Sequence, residues 1–273
     1  MTRETPQVHA VQLDIAWEDP EANHARVRTL LQAAGVRPGD LVILPEMFAT
    51  GFSFRIPKTH DGEGRTLRFL AELAQELRIT VQGGHTLPGV QGGLASNVMS
   101  VLASRDGEPS VKLAEYAKIH PFQREGEVIS GGSQVLTYAW KTPAGREVTV
   151  CPAICYDLRF PELFREGLSR GAEVYALGAC WPSVRAAHWR ALAIARAIEN
   201  QAFVIACNRV GDDPKLPVAG GLHYAGGSLV VSPLGEVAGE LGDHEGVLSV
   251  PLDVHEVDAW RAKFPAWKDR KLH

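Results

Sequence analysis

Apolar and polar positions alternate along the chain in two rhythms, one typical of buried strands and the other of amphipathic helices. In the first third they predict a strand through Val11, Leu13 and Ile15, a helix from Asp19-Pro20 to Gly35, a strand at Leu41–Leu44, a helix at Arg65–Leu77 and a strand at Ile79–Gln82. The middle of the chain predicts strands at Val98–Leu102, Ser110–Tyr116, Gln134–Tyr138 and Val148–Ile154. The rest predicts helices at Phe160–Ser169 and Val184–Asn200, with strands at Val174–Leu177, Ala202–Cys207, Ser228–Ser232 and Val247–Leu252.

These elements favour an α/β fold. Strand–helix rounds flank a run of hairpins, and alternating crossovers place helices on the faces of sheets. We therefore expect one domain over residues 1–273, with two helix-covered mixed sheets packed face to face. No Pro/Ser-rich linker divides the chain. On the long helix the apolar spacing predicts an inner face of Ala187, Ala191, Ile194 and Ile198.

The composition of the chain argues against several classes of function. The chain has 273 residues, 45% of them hydrophobic and 22% charged, as in an ordinary globular protein. A net charge of −4 without a long basic run argues against binding to nucleic acid or to an anionic membrane. No stretch approaches the roughly 18 apolar residues of a membrane span. The four cysteines fit no zinc or disulfide pattern, and the ten histidines form no HExxH motif, so we expect no metal and a cytoplasmic protein with reduced thiols.

Three reactive side chains stand where predicted strands end. Glu46 follows the apolar run Leu41–Pro45, and Cys155 stands where a strand turns abruptly into a helix. Lys118 lies where another strand gives way to a loop. Taken singly, each has an ordinary explanation, as a solvated acid, an inert buried thiol or a surface charge. Ligand sites of open α/β folds lie beyond the carboxyl ends of strands, and the helical N–H groups expected near Cys155 would favour a thiolate there.

Together the three suit hydrolysis of an amide through a thioester, without a cofactor. Glu46 would act as the base, Cys155 as the nucleophile, and Lys118 with the Tyr156 backbone N–H would stabilise the oxyanion. One alternative is a Cys–His hydrolase with His120 or His188 as the base. Another is a redox protein that uses Cys151 and Cys155, although their spacing is CxxxC rather than CxxC. For Cys151, Cys180 and Cys207 we expect inert burial.

Three segments resemble the catalytic blocks of the nitrilase superfamily of carbon–nitrogen hydrolases. They are Leu44-Pro-Glu-Met-Phe, Lys118-Ile-His-Pro-Phe and Ile154-Cys-Tyr-Asp-Leu-Arg-Phe-Pro-Glu, in the family's order. The resemblance implies a four-layer αββα sandwich that commonly dimerises, and the tail 253–273 would reach the dimer partner. It also implies a second glutamate that orients the lysine. Glu127 is the expected residue and Glu125 the fallback.

Within that superfamily the sequence looks most similar to bacterial ω-amidases. This implies substrates such as 2-oxoglutaramate or 2-oxosuccinamate, whose carboxylate an arginine would bind. The candidates for that contact are Arg159, Arg185 and Arg209. Aromatic pocket walls are expected from Phe48, Phe52, Tyr156 and Trp181. Alternatives are specificity for an N-carbamyl amino acid, an aliphatic amide or a nitrile, or a catalytically silent binding protein of the same fold.

Three features depart from the family pattern. Pro121 stands where leucine is frequent, and its fixed φ would redirect the loop that carries the second glutamate. Cys180 precedes Trp181-Pro where the ω-amidase branch tends to have asparagine, which weakens the expected hydrogen bonding there. The loop Asp212–His223 is rich in proline and glycine, so we expect it to reshape the entrance of the site.

Overall fold

The structure, a computed structural model, describes residues 5–105, 108–214 and 221–271. In these ranges the strands are β1 (Gln7–Gln12), β2 (Leu41–Ile43), β3 (Thr80–Leu87), β4 (Ser96–Ala103), β5 (Val111–Ala117), β6 (Tyr138–Lys141), β7 (Glu147–Ile154), β8 (Val174–Ala179), β9 (Phe203–Asn208), β10 (Val210–Asp212), β11 (His223–Ala225), β12 (Leu229–Val231), β13 (Val237–Glu240) and β14 (Gly246–Pro251). The α-helices are α1 (Pro20–Ala34), α2 (Ile56–Thr59), α3 (Arg65–Leu77), α4 (Pro161–Ser169), α5 (Ala186–Asn200) and α6 (His255–Lys263).

Two six-stranded mixed sheets form the centre of the molecule. Their strand orders are β14-β1-β2-β3-β4-β5 and β13-β12-β9-β8-β7-β6. In each sheet three strands run parallel, β1-β2-β3 in the first and β7-β8-β9 in the second, and the strands that flank them are antiparallel. The facing sides share one apolar core, to which Val8 and Ile43 contribute from the first sheet and Val174 and Ile205 from the second.

Helices cover the outer side of each sheet. Leu31 of α1 and Leu70 of α3 pack in one core with Val81 of the first sheet. Phe164 of α4 and Ala193 of α5 pack in another with the second sheet. The result is the predicted four-layer αββα sandwich. No helix in the described ranges has the length and apolar character needed to cross a membrane.

Local sequence signals explain several helix boundaries. Asp19 accepts a hydrogen bond from the N–H of Ala22 at 3.0 Å, and Pro20 occupies the first helical position of α1. Gly35 ends that helix at φ 65°, a conformation that glycine adopts without strain. The bounds of α3 are those expected from its apolar spacing.

Other expectations were wrong in detail. The first strand ends at Gln12, before Leu13 and Ile15, although both are buried. Gln134–Thr137 lies outside any strand, because pairing with β7 begins only at Tyr138. Residues 183–185 form a separate 3₁₀ turn ahead of α5.

The predicted inner face of α5 was also wrong. Its buried residues are Trp189, Ala193, Arg196, Ala197 and Asn200. Arg196 and Asn200 can turn inward because both find buried acceptors, the carbonyl oxygens of Leu158 and Arg196 respectively. In consequence Ile198 is 52% exposed.

Candidate active site

The candidate residues converge where parallel strands of both sheets end. Glu46 lies three residues beyond β2 of the first sheet. Cys155 directly follows β7 and Cys180 directly follows β8 of the second sheet. Lys118 follows β5. The two sheets therefore supply opposite sides of one site, at the edge where open α/β sheets bind ligands.

Two glycines allow the chain to pass closely on either side of Glu46. A Cβ at Gly84 would lie 2.7 Å from the Glu46 Cα. A Cβ at Gly178 would lie 2.5 Å from the Leu44 carbonyl oxygen and 3.2 Å from the Glu46 backbone nitrogen. Real Cβ atoms do not approach backbone so closely, so glycine at both positions lets β3 and β8 hold this segment between them.

Lys118 and Glu46 form an ion pair with no exposure to solvent. Lys118 Nζ lies 2.7 Å from Glu46 Oε1 and 2.7 Å from Glu125 Oε2, and all three side chains are fully buried. The two carboxylates raise the pKa of Lys118 above its usual value and outweigh the opposing effect of burial. Lys118 is therefore a fixed cation with two of its three N–H bonds engaged, and the third can serve another oxygen.

The glutamate that contacts Lys118 is Glu125, so the placement of Glu127 was wrong. Residues 123–127 form a 3₁₀ turn in which Glu125 Oε2 also accepts the Phe122 N–H at 2.7 Å. That bond turns Glu125 inward. Glu127 lies on the other side of the turn, where its side chain is 61% exposed and faces Arg124 at 3.4 Å. Pro121 leads into this turn without displacing Glu125 from Lys118.

Asn97 on β4 joins the two carboxylates and had no predicted role. Its Nδ2 donates to Glu46 Oε1 at 2.8 Å and to Glu125 Oε1 at 2.9 Å. Glu46 Oε1 thus accepts from both Lys118 and Asn97. Glu46 Oε2 accepts the Cys180 N–H at 3.0 Å. The sequence signal was only an asparagine at a strand end, because its partners come from two other segments.

Cys155 occupies a strained turn between β7 and α4. Its φ is +45°, a value that residues with a side chain adopt at a cost of about 1–3 kcal/mol. Asp157 holds the turn by accepting the Ile154 N–H at 3.0 Å, the Tyr116 hydroxyl at 2.7 Å and the His120 N–H at 3.1 Å. This fixed turn presents the thiol to the site.

The environment of Cys155 favours thiol over thiolate in the resting protein. Burial, in the first place, and the carboxylate of Glu46 raise its pKa well above the usual value, and Lys118 opposes them. The expected stabilisation of a thiolate by helical N–H groups was therefore wrong, because α4 begins only at Pro161, after a 3₁₀ turn at Cys155–Arg159. A thiol of this kind needs a base, and Glu46 lies close enough to Cys155 to raise the pKa of its thiol.

A pocket leads to Cys155. It encloses about 350 Å³ of empty space, counting its open mouth, and it is lined by Phe52, Phe122, Cys155, Tyr156, Arg159, Cys180, Trp181, Pro182, Arg185 and Leu222. Three of the four predicted aromatic walls are therefore present. The exception is Phe48, which is fully buried in the core beside His24 and Phe69. Part of the loop expected to shape the entrance, residues 215–220, lies outside the described residues.

The three candidate arginines lie in different environments. Arg159 lies over the rings of Trp181 at 4.9 Å and Tyr156 at 5.8 Å. Arg185 lies over Phe122 at 5.2 Å. Neither has a carboxylate partner in the described part of the chain. Arg209 is fully buried and pairs with Asp213 at 2.8 Å, so its charge is already compensated and it does not line the pocket.

The residues needed for the alternative chemistries lie elsewhere. His120 Nδ1 contacts Asp157 at 2.8 Å, and its ring stacks on Phe160. His188 is exposed and contacts Arg159 at 3.2 Å. Cys151 is a free thiol under α4, where a Cβ at Gly167 would lie 2.9 Å from its sulphur. None of these placements favours a Cys–His pair or a Cys151–Cys155 redox pair.

The fold and the paired carboxylates around a lysine and a cysteine define a class of enzyme. The profile of the carbon–nitrogen hydrolase family matches residues 7–262. The chain belongs to this family, within the nitrilase superfamily, and is a hydrolase of carbon–nitrogen bonds.

Individual relatives are similar along nearly their whole length. The chain is 31% identical to the omega-amidase YafV of Escherichia coli (strain K12) over 96% of each chain. It is 32% identical to the 2-oxoglutaramate amidase of Bacillus subtilis (strain 168), again over 96% of each. Among solved structures, the superfamily protein XC1258 from Xanthomonas campestris, which carries an arsenic adduct in its active site, superposes with a TM-score of 0.86 at 32% identity. That superposition covers 99% of this chain and 98% of the other.

Proposed function

We propose that this enzyme is an amidase that converts a small carboxamide to a carboxylate and ammonia through a thioester on Cys155. The observation that carries the proposal is the buried ammonium of Lys118, held by Glu46 and Glu125 beside a thiol at the base of a pocket. This arrangement supplies a nucleophile, a base and a fixed positive charge without a cofactor.

Each group has one task in the proposed reaction. Glu46 removes the proton from Cys155, and the thiolate attacks the amide carbon. The free N–H of Lys118 and the backbone N–H of Tyr156 stabilise the oxyanion. Glu46 then gives its proton to the leaving nitrogen, and ammonia departs.

Water completes the cycle. Glu46 removes a proton from a water molecule, which attacks the thioester carbon. The C–S bond breaks and Glu46 returns the proton to the Cys155 sulphur. The carboxylic acid product leaves and gives its own proton to the released ammonia or to solvent. Glu46 therefore alternates between base and acid within one turnover, while the charge of Lys118 stays constant.

The proposed substrates are ω-amides of short 2-oxo dicarboxylic acids, such as 2-oxoglutaramate or 2-oxosuccinamate. The names of the similar E. coli and B. subtilis enzymes support this class. So do Arg159 and Arg185, for which no acidic partner lies among the described residues, in a pocket that is otherwise largely apolar. A planar guanidinium binds a carboxylate through two hydrogen bonds, which would fix the end of the substrate remote from the amide.

The experiment measures ammonia release from 2-oxoglutaramate, glutamine, a short aliphatic amide, a nitrile and an N-carbamyl amino acid. We expect the highest kcat/KM for 2-oxoglutaramate and no turnover by Cys155→Ala. Cys207→Ala is the matched control, since this buried thiol lies in the core between the sheets and donates its hydrogen bond to the Val11 carbonyl oxygen at 3.2 Å. Preference for another substrate would overturn the specificity, and turnover by Cys155→Ala would overturn the mechanism. If no substrate is turned over and iodoacetamide does not select Cys155, the protein is a silent binding member of the fold.

We further propose that residues 1–273 act as one domain and that two copies form a dimer through α5. Support comes from three exposed apolar side chains. These are Val184 (78% exposed) just before α5, Ile198 (52%) near the end of α5, and Leu234 (44%). In the tail, Arg261 donates to the carbonyl oxygens of Ala172 and Asn200, so the tail is anchored beside the end of α5, where it could reach a partner. Sedimentation analysis should give a dimer that Ile198→Glu weakens, and a monomeric wild type would contradict the proposal.

We also propose a cytoplasmic location. All four cysteines are free, and reducing compartments preserve free thiols. Cell fractionation should recover the amidase activity with cytoplasmic marker enzymes, and recovery with an extracellular or periplasmic marker would contradict it.

A further inference from the structure

Asn97 connects the two buried carboxylates of the site through a single amide nitrogen. Nδ2 lies 2.8 Å from Glu46 Oε1 and 2.9 Å from Glu125 Oε1. Asn97 is fully buried on β4, and its backbone carbonyl accepts the Lys118 N–H at 2.9 Å. The same residue therefore fixes the main chain of the lysine and the side chains of both glutamates.

The orientation of the Asn97 amide follows from its neighbours. If the amide were rotated by half a turn, Oδ1 would face two carboxylate oxygens and no proton would lie between them. With Nδ2 toward the carboxylates, Oδ1 is buried without a hydrogen-bond partner in the described part of the chain. Leaving a buried acceptor unpaired costs free energy. The gain at the two carboxylates must exceed that cost, and it comes from the two charge-assisted hydrogen bonds.

The two carboxylate oxygens of Glu46 differ in the number of hydrogen bonds that they already accept. Oε1 already accepts two donors, Lys118 Nζ and Asn97 Nδ2. Oε2 accepts one, the Cys180 N–H. A carboxylate oxygen offers about two lone-pair sites, so the free acceptor site of Glu46 is on Oε2.

We propose that Asn97 is a positioning residue that fixes Glu46 through Oε1 and directs its Oε2 to the proton of Cys155. The proposal rests on the amidase function proposed above and concerns how its base is prepared. Without Asn97, Glu46 Oε1 would keep only Lys118 as a side-chain donor, and the carboxylate would be free to turn Oε2 away from Cys155.

The test compares Asn97→Leu, Asn97→Ser and wild type. Leu is close to Asn in size but has no donor, and Ser is a smaller replacement with one hydroxyl donor. For Asn97→Leu we expect kcat to fall about 10- to 100-fold with KM little changed, as for the loss of a charge-assisted hydrogen bond that prepares the base. Asn97→Ser should lie between Asn97→Leu and wild type, since one donor remains.

Asn23→Leu is the matched control. Asn23 is also fully buried and bonded through Nδ2 to two acceptors, the carbonyl oxygens of Ala16 and Ala49, outside the site. It should lower stability without lowering kcat.

A second readout needs no substrate. Iodoacetamide labelling of Cys155 at one pH should be slower in Asn97→Leu than in wild type, because the base is less well placed to take the proton of the thiol. Unchanged kcat and labelling rates in Asn97→Leu and Asn97→Ser, with an active wild type, would overturn the role of Asn97. Absence of amide hydrolysis by wild type, with slower labelling in Asn97→Leu, would instead overturn the proposed function and leave the positioning role in place.

Discussion

The ammonium of Lys118 lies 2.7 Å from Glu46 Oε1, and neither side chain is exposed to solvent. The two residues are 72 positions apart in the sequence. A buried ion pair gains little net stability over apolar packing, but removal of one partner leaves an uncompensated charge. The stability of the fold therefore depends on Lys118 and Glu46, although the main role of this pair is in the chemistry of the site.

Lys118→Met should affect activity and stability together. Loss of the oxyanion donor should lower kcat by about 10²–10³-fold. Two buried carboxylates would face each other, so the unfolding free energy should fall by about 3–5 kcal/mol at pH 8. Urea unfolding at pH 8 measures the change in stability. Lys112→Met, at an exposed pair with Glu115, is the control and should change stability by less than about 1 kcal/mol.

Glu125 and Glu127 provide a matched pair within one turn. Glu125→Gln keeps an oxygen near Lys118 but removes a charge, so we expect kcat to fall about 10- to 100-fold. Glu127→Gln should leave kcat unchanged, because its exposed contact with Arg124 contributes at most about 1 kcal/mol. Steady-state kinetics of the two variants, measured under the same conditions, show which of the two glutamates catalysis requires. The opposite ranking would mean that Glu127 turns inward in solution.

Glu125 and Glu127 also show how much of the site could be predicted from the sequence. The position of Glu46 after an apolar run and the sharp turn at Cys155 were visible in the sequence, and both lie where expected. The choice between Glu125 and Glu127 was not visible in the sequence. It depends on the hydrogen bond from the Phe122 N–H to Glu125, which turns that carboxylate of the short 3₁₀ segment inward.

Long-range pairing limits sequence interpretation in the same way elsewhere. Asn97 contacts Glu46, 51 positions away, and Glu125, 28 positions away, so its role could not be derived from its neighbours in the sequence. On α5 the apolar spacing predicted the wrong inner face. Polar Arg196 is buried there because the carbonyl oxygen of Leu158, 38 positions away, accepts its hydrogen bonds.

Gly178 should be intolerant of even one methyl group. In Gly178→Ala the new Cβ would lie 2.5 Å from the Leu44 carbonyl oxygen and 2.3 Å from Met99 Cε. The flexible methionine can move, but the backbone beside Glu46 cannot do so without displacing the base. We expect a loss of about 1–3 kcal/mol in unfolding free energy and a lower kcat. Gly246→Ala is the control, because no atom lies within 4 Å of its added Cβ. Similar kcat values for the two variants would contradict the close approach at Gly178.

Substitution of either pocket arginine should lower kcat/KM for a substrate with a carboxylate, whereas substitution of a surface arginine should not. Arg159→Met should reduce kcat/KM for 2-oxoglutaramate about 10- to 100-fold but leave that for a neutral aliphatic amide nearly unchanged, because only the former has a carboxylate to bind. Arg185→Met should act in the same direction. Arg190→Met, which removes a surface pair with Glu240 at 3.0 Å, should affect neither substrate. Equal losses on both substrates would assign Arg159 to the walls of the pocket instead.

His24 should make stability depend on acidity. Its ring stacks on Phe69 with centroids 4.1 Å apart, and burial lowers its pKa to about 4. The unfolded chain, with a histidine pKa of about 6.5, binds the proton more readily. The contribution of His24 is therefore present above pH 6.5 and is lost as the pH falls toward 4. Because the ring is only partly buried, we expect about 1–2 kcal/mol over this window. His24→Phe keeps the stacking and should flatten the pH dependence in urea unfolding between pH 7 and pH 4. His244→Phe, at an exposed histidine, should reproduce the wild-type slope. If His24→Phe keeps that slope too, the acid sensitivity resides in other groups.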